Sequence, residues 1–310
     1  MKIRIGIAVG QWPDKNIHPD AIFDLVERFE ALDIDSLWVS ERLVSSALIL
    51  EPITFLSAIA GRFRKLKLGT SALVLPARNP IVLAKELATL DFFSQGRLFP
   101  AVGLGGEDSQ DLVAVGVDKK ERAARTDEAI ALMRRLWTED NVSFQGKFFS
   151  LQNVTIQPRP WQKNGLPIWI GGRSQAAMRR AGRLGDGWLV SSASPAEVKV
   201  GIASIRTYAA AVGRQVPEDH YGVLIPFFFA ASAEKALEAA SRSVRPRLDM
   251  PIAEFTAFGT PEDVRVKVQA YIAAGATKFV MRPCGRFESW REQVKTLVRE
   301  VIQPLQTPAD

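Results

Sequence analysis

The stretch P-I-W-I-G-G-R-S-Q-A-A-M-R-R-A-G-R-L-G-D-G-W-L-V, residues 167–190, decides the fold that we predict for this chain. Residues 168–170 form an apolar run that is too short for a helix and stops at two glycines, so they predict a buried strand and a glycine turn. Ser174 then precedes a run of small and apolar residues with arginines between them, which predicts a helix with Ser174 as its N-cap. Another apolar run begins at residue 188. The segment is therefore a strand–helix–strand unit, the repeat of a parallel sheet.

The glycine turn of this unit carries the first functional prediction. Two glycines before a capped helix let the backbone come close to a ligand, and the free N–H groups and the helix dipole then favour an anion such as phosphate. The alternative is that Gly171 and Gly172 only form a tight turn. The turn by itself leaves both interpretations open.

The longer motif I-W-I-G-G-R-S-Q-A-A-M-R-R-A-G-R-L-G-D-G-W resembles the luciferase-like monooxygenase superfamily at nearly every position, and further similarities cover nearly the whole chain. Members of that superfamily are single (β/α)8 barrels that use FMN or the deazaflavin coenzyme F420, and their version of this turn holds the cofactor phosphate. The motif is most similar to the F420-dependent branch. The resemblance therefore implies that Gly171, Gly172, Arg173 and Ser174 bind the cofactor.

Composition narrows the class of protein. A chain of 310 residues, 47% of them hydrophobic, can form one large domain or two small ones, and a parallel barrel commonly needs about 250 residues. The formal net charge of +6 is not gathered in blocks, so we expect no nucleic-acid partner, whereas an anionic cofactor or substrate is favoured.

Cysteine, histidine and hydropathy exclude further classes. Cys284 is the only cysteine, and with two histidines in total we expect no disulfide and no metal site. A passive thiol is favoured over a nucleophile at Cys284, because no histidine base is assigned near it. The N-terminus lacks signal-peptide features and no run of about twenty apolar residues occurs, so we expect a soluble cytoplasmic protein, with a homodimer as one expectation.

Strand and helix patterns alternate along the rest of the chain. The predicted strands are residues 3–9, 36–39, 66–74, 98–104, 168–170, 188–190, 222–229 and 277–282, and the main helices between and after them are 19–32, 52–63, 84–93, 122–137, 195–212, 233–244, 261–274 and 289–305. We therefore predict an α/β fold, a single (β/α)8 TIM barrel over residues 1–310, with insertions after helix 4 (residues 141–165) and before strand 8 (residues 249–259).

The two insertions break the repeat but carry aromatic residues. The first is predicted to contain a hairpin around Gln145 and Gly146. The aromatic residues either pack on the outer helices or cover the barrel mouth, and we expect the second arrangement, with the insertions forming much of the substrate pocket. These residues are Phe144, Phe148, Phe149, Trp161, Phe255 and Phe258.

Candidate catalytic residues follow the second strand, at the end of a barrel strand where chemistry is usually located. The superfamily often has an acidic residue followed by histidine here, and in some members the histidine is a catalytic base. This sequence has Glu41 and then Arg42, which excludes an imidazole base and offers an anion-binding guanidinium. We take Glu41 and Arg42 as catalytic candidates, with a structural Glu41–Arg42 ion pair as the alternative.

Candidate ring-binding residues follow the third and fourth strands. The run L-G-T-S-A-L-V-L-P-A-R-N-P resembles the superfamily's third strand, which often carries a non-proline cis peptide against the cofactor ring; the matching pair is Ser71 and Ala72. The fourth strand ends in G-L-G-G-E-D, which does not meet the G-x-G-x-x-G spacing of a dinucleotide fingerprint. Gly103, Leu104 and Gly105 are therefore predicted to bring backbone close to the ring.

The resemblance implies a flavin- or deazaflavin-dependent oxidoreductase. With F420, the favoured cofactor, a hydride moves between C5 of the ring and a small organic substrate. With FMN, the alternative, reduced flavin reacts with oxygen and oxygenates the substrate. A flavin-binding barrel without catalysis is the third hypothesis, because the usual histidine is missing.

Overall fold

Strands and helices alternate along the chain in the computed structural model, which describes residues 2–106 and 110–308. The strands are β1 (Arg4–Val9), β2 (Ser36–Val39), β3 (Lys67–Thr70), β4 (Leu73–Val74), β5 (Leu98–Phe99), β6 (Ala101–Gly103), β7 (Val142–Gln145), β8 (Ser150–Val154), β9 (Trp169–Gly171), β10 (Gly187–Ser191), β11 (Tyr221–Phe229), β12 (Ala257–Gly259) and β13 (Lys278–Pro283). The helices are α1 (Pro19–Ala31), α2 (Pro52–Arg62), α3 (Pro80–Ser94), α4 (Asp111–Ala114), α5 (Arg122–Thr138), α6 (Gln175–Leu184), α7 (Pro195–Ala210), α8 (Ala233–Ala240), α9 (Ile252–Phe255), α10 (Pro261–Ala273), α11 (Phe287–Leu297) and α12 (Gln303–Leu305), with 3-10 turns at Leu75–Ala77 and Ser241–Ser243 and a π-helical turn at Val298–Ile302.

One curled parallel sheet organises the fold. Among the described residues it has 11 strands in the order β4-β6-β9-β10-β11-β13-β1-β2-β3-β5, with β12 paired to β11. The predicted third strand is divided into β3 and β4, and the predicted fourth into β5 and β6; β3 pairs with β5, and β4 pairs with β6. The break in the third strand falls at Ser71–Ala72, whose peptide bond is cis, as the resemblance implied. The predicted α/β fold with a parallel sheet is confirmed.

Both faces of the sheet are buried, which explains why its strands are apolar at consecutive positions. One face carries a cluster with a residue from each of seven strands: Ala8, Trp38, Ala101, Trp169, Leu189, Leu224 and Val280. The alternate residues, such as Ile5, Ile7 and Leu37, belong to the larger core cluster together with the apolar faces of the helices. The period of two along each strand therefore divides its side chains between two cores.

Asp35 forms the centre of a charged cluster at the amino-terminal end of the sheet, just before β2. Its carboxylate pairs with Lys67 at 2.9 Å, with Arg4 at 3.6 Å and with Lys278. These three cations lie at the starts of β3, β1 and β13. Burial by itself would raise the pKa of Asp35, but the charges of Lys278 and Lys67 outweigh it and lower that pKa to about 2.

The boundary of α3 differs from the prediction for a local reason. The helix begins at Pro80 rather than at residue 84, because the side chain of Asn79 accepts hydrogen bonds from the N–H groups of Ile81 and Val82 at 2.9 and 3.3 Å. Asn followed by Pro is a common helix start, with the cap at Asn and proline at the first helical position. The short helix α4 was missed as well.

The predicted hairpin in the first insertion is confirmed, but its expected position over the barrel mouth is wrong. Strands β7 and β8 are antiparallel, and the loop between them is held by Glu128 of α5, which accepts from the N–H groups of Lys147, Phe148 and Phe149 at 3.0, 2.9 and 2.7 Å. The guanidinium of Arg125 lies 5.2 Å from the ring centres of both phenylalanines. These aromatic residues therefore pack on an outer helix.

The second insertion contains two short elements, α9 and β12. Phe255 and Phe258 lie in a cluster with Ala236 and Ala240 of α8 and with Cys284. Their aromatic rings are therefore used in packing between α8 and the end of the sheet. No helix in residues 2–106 and 110–308 combines the length and the apolar character that crossing a membrane requires. Glu107 and Asp108 of the predicted glycine loop lie outside the described residues.

Candidate cofactor and substrate site

A cavity of about 450 Å³ lies at the carboxyl-terminal ends of the strands and gathers nearly all of the predicted site residues. No residue of the two insertions lines it, so within the described chain the insertions form none of its wall. The predicted residues that do line it are Glu41, Arg42, Ser71, Ala72, Gly103, Leu104, Gly105, Gly171, Gly172 and Ser174.

The glycine turn after β9 forms one wall of this cavity. Gly172 has a φ of +113°, and a Cβ added there would lie 3.0 Å from Cβ of Ala177 in α6. The indole Nε1 of Trp188 donates to the carbonyl of Gly172 at 2.8 Å, which holds the turn against β10. Ser174 is the N-cap of α6, as predicted, and its Oγ accepts from the N–H of Ala177 at 3.2 Å. The positive end of α6 therefore lies at the cavity wall.

Arg173 is the one predicted cofactor residue that does not line the main cavity. Its side chain is exposed and lines a neighbouring cavity of about 290 Å³ together with Trp188 and Glu197. The structure thus separates Arg173 from the other three residues of the turn. Its role as a phosphate ligand stays a prediction.

A second wall is formed by backbone and small side chains of the third and fourth strands. The N–H of Ser71 donates to the carbonyl of Val39 at 2.7 Å, and the hydroxyl oxygens of Ser71 and Ser40 lie 3.4 Å apart. A Cβ added to Gly103 would lie 3.7 Å from Cβ of Ala72, and one added to Gly105, whose φ is +80°, would lie 3.0 Å from Val74. Glycine at these positions keeps backbone exposed beside the bulge, which suits close approach by a flat ring.

Both carboxylate oxygens of Glu41 accept hydrogen bonds, one from Arg78 and the other from Val74. Its Oε1 accepts from Nε of Arg78 at 2.9 Å and also from Nη2, while its Oε2 accepts from the N–H of Val74. The Glu41 side chain is only 8% exposed. The alternative of a Glu41–Arg42 ion pair is therefore wrong, because the partner of Glu41 is Arg78.

Arg42 lies on the boundary between two cavities. Its exposed side chain lines the main cavity and also an adjoining cavity of about 480 Å³, which shares Glu41 and Val74 with the first. The adjoining cavity has apolar walls at Leu43 and Val115. The site therefore has two adjoining parts, one beside the glycine turn and one beyond Arg42.

Asp111 and Arg122 line the main cavity but were missed from the sequence. Asp111 is buried, and its Oδ1 accepts from the N–H of Val44 at 2.8 Å, which connects the loop after β2 to α4. Arg122 is the first residue of α5. One signal was available: both follow the fourth strand, and segments that follow a barrel strand begin at the carboxyl-terminal end of the sheet.

Metal and thiol chemistry find no support among the described residues. In residues 2–106 and 110–308, no three or more His, Cys, Asp or Glu side chains are grouped so that they could hold a metal ion. Cys284 is buried outside the main cavity, and burial raises the pKa of its thiol. A thiol in such surroundings is a poor nucleophile.

The fold and the cavity define a class of protein: a parallel α/β sheet with a ligand-sized cavity at the carboxyl-terminal ends of its strands and a helix N-terminus at the cavity wall. Residues 1–250 match the family of luciferase-like monooxygenases, and the chain belongs to that family.

Relatives of known activity are similar over much of the chain. The F420-dependent glucose-6-phosphate dehydrogenase of Amycolatopsis mediterranei (strain U-32) is 32% identical over 69% of this chain and 68% of its own length. The enzyme of the same name from Kineococcus radiotolerans is 28% identical over 87% of this chain and 89% of its own length. The crystal structure of monooxygenase RslO1 from Streptomyces bottropensis has the same fold, with a TM-score of 0.86, 24% identity and coverage of 97% of this chain and 99% of that chain.

Proposed function

We propose that this protein is an oxidoreductase that binds F420 in the main cavity and transfers a hydride between the cofactor and a small organic substrate. The observation that carries the proposal is the cavity with the glycine turn and the capped helix α6 on one wall and the Ser71–Ala72 bulge with Gly103 and Gly105 on another. Curated relatives named as F420-dependent dehydrogenases favour the same cofactor.

We further infer that the sheet is a (β/α)8 barrel formed by one domain over residues 1–310. If β3 with β4 and β5 with β6 are each taken as one interrupted strand, and β12 as an addition to β11, eight strands remain. Their pairings run from β1 through β2 to β11 and β13, and β13 pairs with β1 again. The segments 141–165 and 249–259 are then additions to the repeat.

The residues of the main cavity fit a flavin-type cofactor. The volume of the main cavity, about 450 Å³, lies within the range of typical ligand sites, about 300–1,000 Å³. In this proposal the backbone N–H groups of the turn and the hydroxyl of Ser174 bind the phosphate, and Gly172 is required because a side chain would fill the space beside Ala177. When bound, F420 supplies the hydride donor or acceptor at C5 of its ring.

Ser71, Ala72, Gly103, Leu104 and Gly105 would flank the ring and keep water from it. Glycine and alanine allow backbone to approach both sides of a planar group, and Leu104 adds an apolar contact. These contacts orient the ring without supplying a charge of their own.

Arg42 is the residue that we assign to the substrate. It lies on the wall that the two cavities share, so a substrate in the second cavity would contact its guanidinium while it reaches toward the first. Glu41 stays a catalytic candidate, but proton transfer through its carboxylate requires release of Arg78 or of the N–H of Val74. A nucleic-acid partner is not part of this proposal, and a homodimer stays a prediction.

An FMN-dependent monooxygenase is the second candidate function, and the description of the family as luciferase-like monooxygenases favours it. The residues of the cavity would hold FMN by the same phosphate and ring contacts. A barrel that binds a flavin without catalysis is the remaining hypothesis.

Titration of the apoprotein with F420 and with FMN tests the proposal. We expect the tighter dissociation constant for F420, and reduced F420 should be consumed anaerobically by at least one compound of a panel of carbonyls, enones and alkenes. Glucose 6-phosphate belongs in the reverse reaction with oxidised F420, because the relatives carry that activity in their names. Tighter binding of FMN with consumption of oxygen would favour the monooxygenase, binding without turnover would favour the non-catalytic barrel, and binding of neither cofactor would contradict the proposal.

A further inference from the structure

Arg78 lies between the 3-10 turn Leu75–Ala77 and the N-cap of α3, behind the wall of the main cavity, and it lines the adjoining cavity of about 480 Å³. Its side chain is 18% exposed and has three carboxylates around it. Nε donates to Glu41 at 2.9 Å, Nη2 donates to Glu41 and, at 2.6 Å, to Glu51, and Nη1 lies 3.9 Å from Glu86. One guanidinium thus joins the end of β2, the start of α2 and the middle of α3.

The contacts of Arg78 continue to the wall of the cavity through Glu41. The second carboxylate oxygen of Glu41 accepts from the N–H of Val74. Val74 lies two residues after the cis peptide and pairs with Gly103 of β6. A Cβ added to Gly105 would contact the side chain of Val74. Arg78 therefore holds the orientation of a carboxylate, which in turn holds the backbone on which the predicted ring site is built.

We propose that Arg78 is a positioning residue for the cofactor ring, which fixes the Val74 segment and the adjoining Gly103 and Gly105 wall through the Glu41 carboxylate. This inference rests on the proposed function, because it assumes that a flavin-type ring lies against this wall. Arg78 itself does not line the main cavity, so it acts on the ring through Glu41 and Val74.

The chemistry of the cluster requires an arginine. A planar guanidinium can serve Glu41 with Nε and Nη2 while Nη2 also reaches Glu51, whereas a lysine ammonium offers one nitrogen. Burial by itself lowers the pKa of Arg78, but its hydrogen bonds and charge interactions with Glu41 and Glu51 raise that pKa above its ordinary value. Without the guanidinium, Glu41 would be a buried carboxylate that has lost its cationic partner, so it would turn away and its bond to the N–H of Val74 would weaken.

Two variants and a matched control test the role of Arg78. Arg78→Met removes the guanidinium, and Arg78→Lys keeps the charge but loses the two-pronged contact with Glu41. Arg97→Met is the control, because Arg97 also ties segments together, by donating to the carbonyls of Leu66 and Phe63 at 2.5 and 3.0 Å, but it lies at the amino-terminal end of the sheet, before β5. Each protein is titrated with F420 and with FMN, the absorbance and fluorescence spectra of the bound cofactor are recorded, and the thermal midpoint is measured.

We expect Arg78→Met to weaken binding of the preferred cofactor by roughly 10- to 100-fold and to alter the spectrum of what remains bound, since small displacements at a site have effects of that order. Arg78→Lys should lie between Arg78→Met and the unchanged protein. Arg97→Met should lower the thermal midpoint while affinity and bound spectrum stay as in the unchanged protein. If Arg78→Met does not fold, Arg78→Lys decides, and unchanged affinity and spectrum in that variant overturn the proposal.

A double variant identifies the route. If Arg78 acts through Glu41, the losses of affinity in Glu41→Gln and Arg78→Met are not additive, whereas additive losses overturn the proposed route. Equal effects of Arg78→Met and Arg97→Met on affinity and spectrum overturn the positioning role as well. Unchanged affinity in Arg78→Met, with normal binding by the unchanged protein, contradicts this inference alone; binding of neither cofactor by the unchanged protein contradicts the proposed function and this inference together.

Discussion

The two ends of the parallel sheet are built on opposite principles. At the amino-terminal end, Asp35 is buried among Lys67, Lys278 and Arg4, and every one of these charges belongs to a strand start or the residue before one. At the carboxyl-terminal end, β6, β9 and β10 stop at Gly103, Gly171 and Ser191, which line a cavity of about 450 Å³. At the first end the buried Asp35 carboxylate has its cationic partners within the protein, whereas the second end presents backbone and a helix terminus to the cavity.

This difference separates stability from binding in space. The buried ion pairs of Asp35 are strongly destabilising to break, and none of their residues lines the main cavity. Glycines bury no side chain, yet those with positive φ leave the backbone open to the approach of a ligand. Under the proposed function, the same strands carry a structural end and a functional end, an arrangement that parallel barrels generally have.

Asp35→Asn should have the largest effect, and it should act on stability only. The change leaves Lys278 buried without its carboxylate, so we expect the free energy of unfolding to fall by about 3–5 kcal/mol. Denaturant unfolding measures the loss, and titration with F420 should give an unchanged dissociation constant. A variant that is as stable as the unchanged protein, or that binds the cofactor much more weakly while folded, would contradict the division between the two ends.

Gly172→Val should affect the opposite end. Valine would have to adopt a φ of +113° with its Cβ 3.0 Å from Ala177, so we expect cofactor affinity to fall by about 100-fold. Gly213→Val is the matched control, because Gly213 also has a positive φ, +68°, but nothing lies within 4 Å of its added Cβ. The control should lose some stability and bind normally. Equal cofactor affinities of the two variants would contradict the proposed phosphate site.

The pH dependence of stability should sharpen the same comparison. Because the folded pKa of Asp35 is about 2 and its ordinary value is 3.8, the unfolded state binds the proton more readily, and stability falls as pH falls. The contribution, about 2 kcal/mol, should be fully present above about pH 5 and lost between about pH 4 and 2. Unfolding measured from pH 6 to pH 2 should show a steeper loss for the unchanged protein than for Asp35→Asn. Identical slopes would show that Asp35 does not carry the dependence.

Glu128→Gln should have the smallest effect and should concern neither end directly. The carboxylate accepts three backbone N–H groups of the β7–β8 loop, and an amide oxygen can replace only part of this, so we expect a loss of about 1 kcal/mol. Amide exchange in residues 146–149 should become faster while cofactor affinity stays unchanged. A marked loss of cofactor affinity would contradict the conclusion that the hairpin lies outside the site.

Periodicity and turn chemistry were sufficient to predict the regular elements. Strand β2 was predicted at its observed bounds, and Ser174 was identified as the cap of α6, because burial of both sheet faces and N-capping leave direct local signals. The cis peptide at Ser71–Ala72 came from the resemblance of its surrounding motif, not from any local signal. Most of the predicted site residues also meet in one cavity, since the ends of parallel strands converge.

Tertiary structure decided which partners these residues have. The sequence suggested Arg42 as the partner of Glu41 because the two are adjacent, but neighbouring residues at a strand end point in different directions, and Arg78 reaches Glu41 from 37 positions further along the chain. The aromatic residues of the hairpin pack on α5 because Glu128 fixes the loop there. No local sequence pattern predicts this contact. Local order was thus determined by the sequence along the chain, whereas long-range pairing of charges and rings required the folded arrangement of strands and helices.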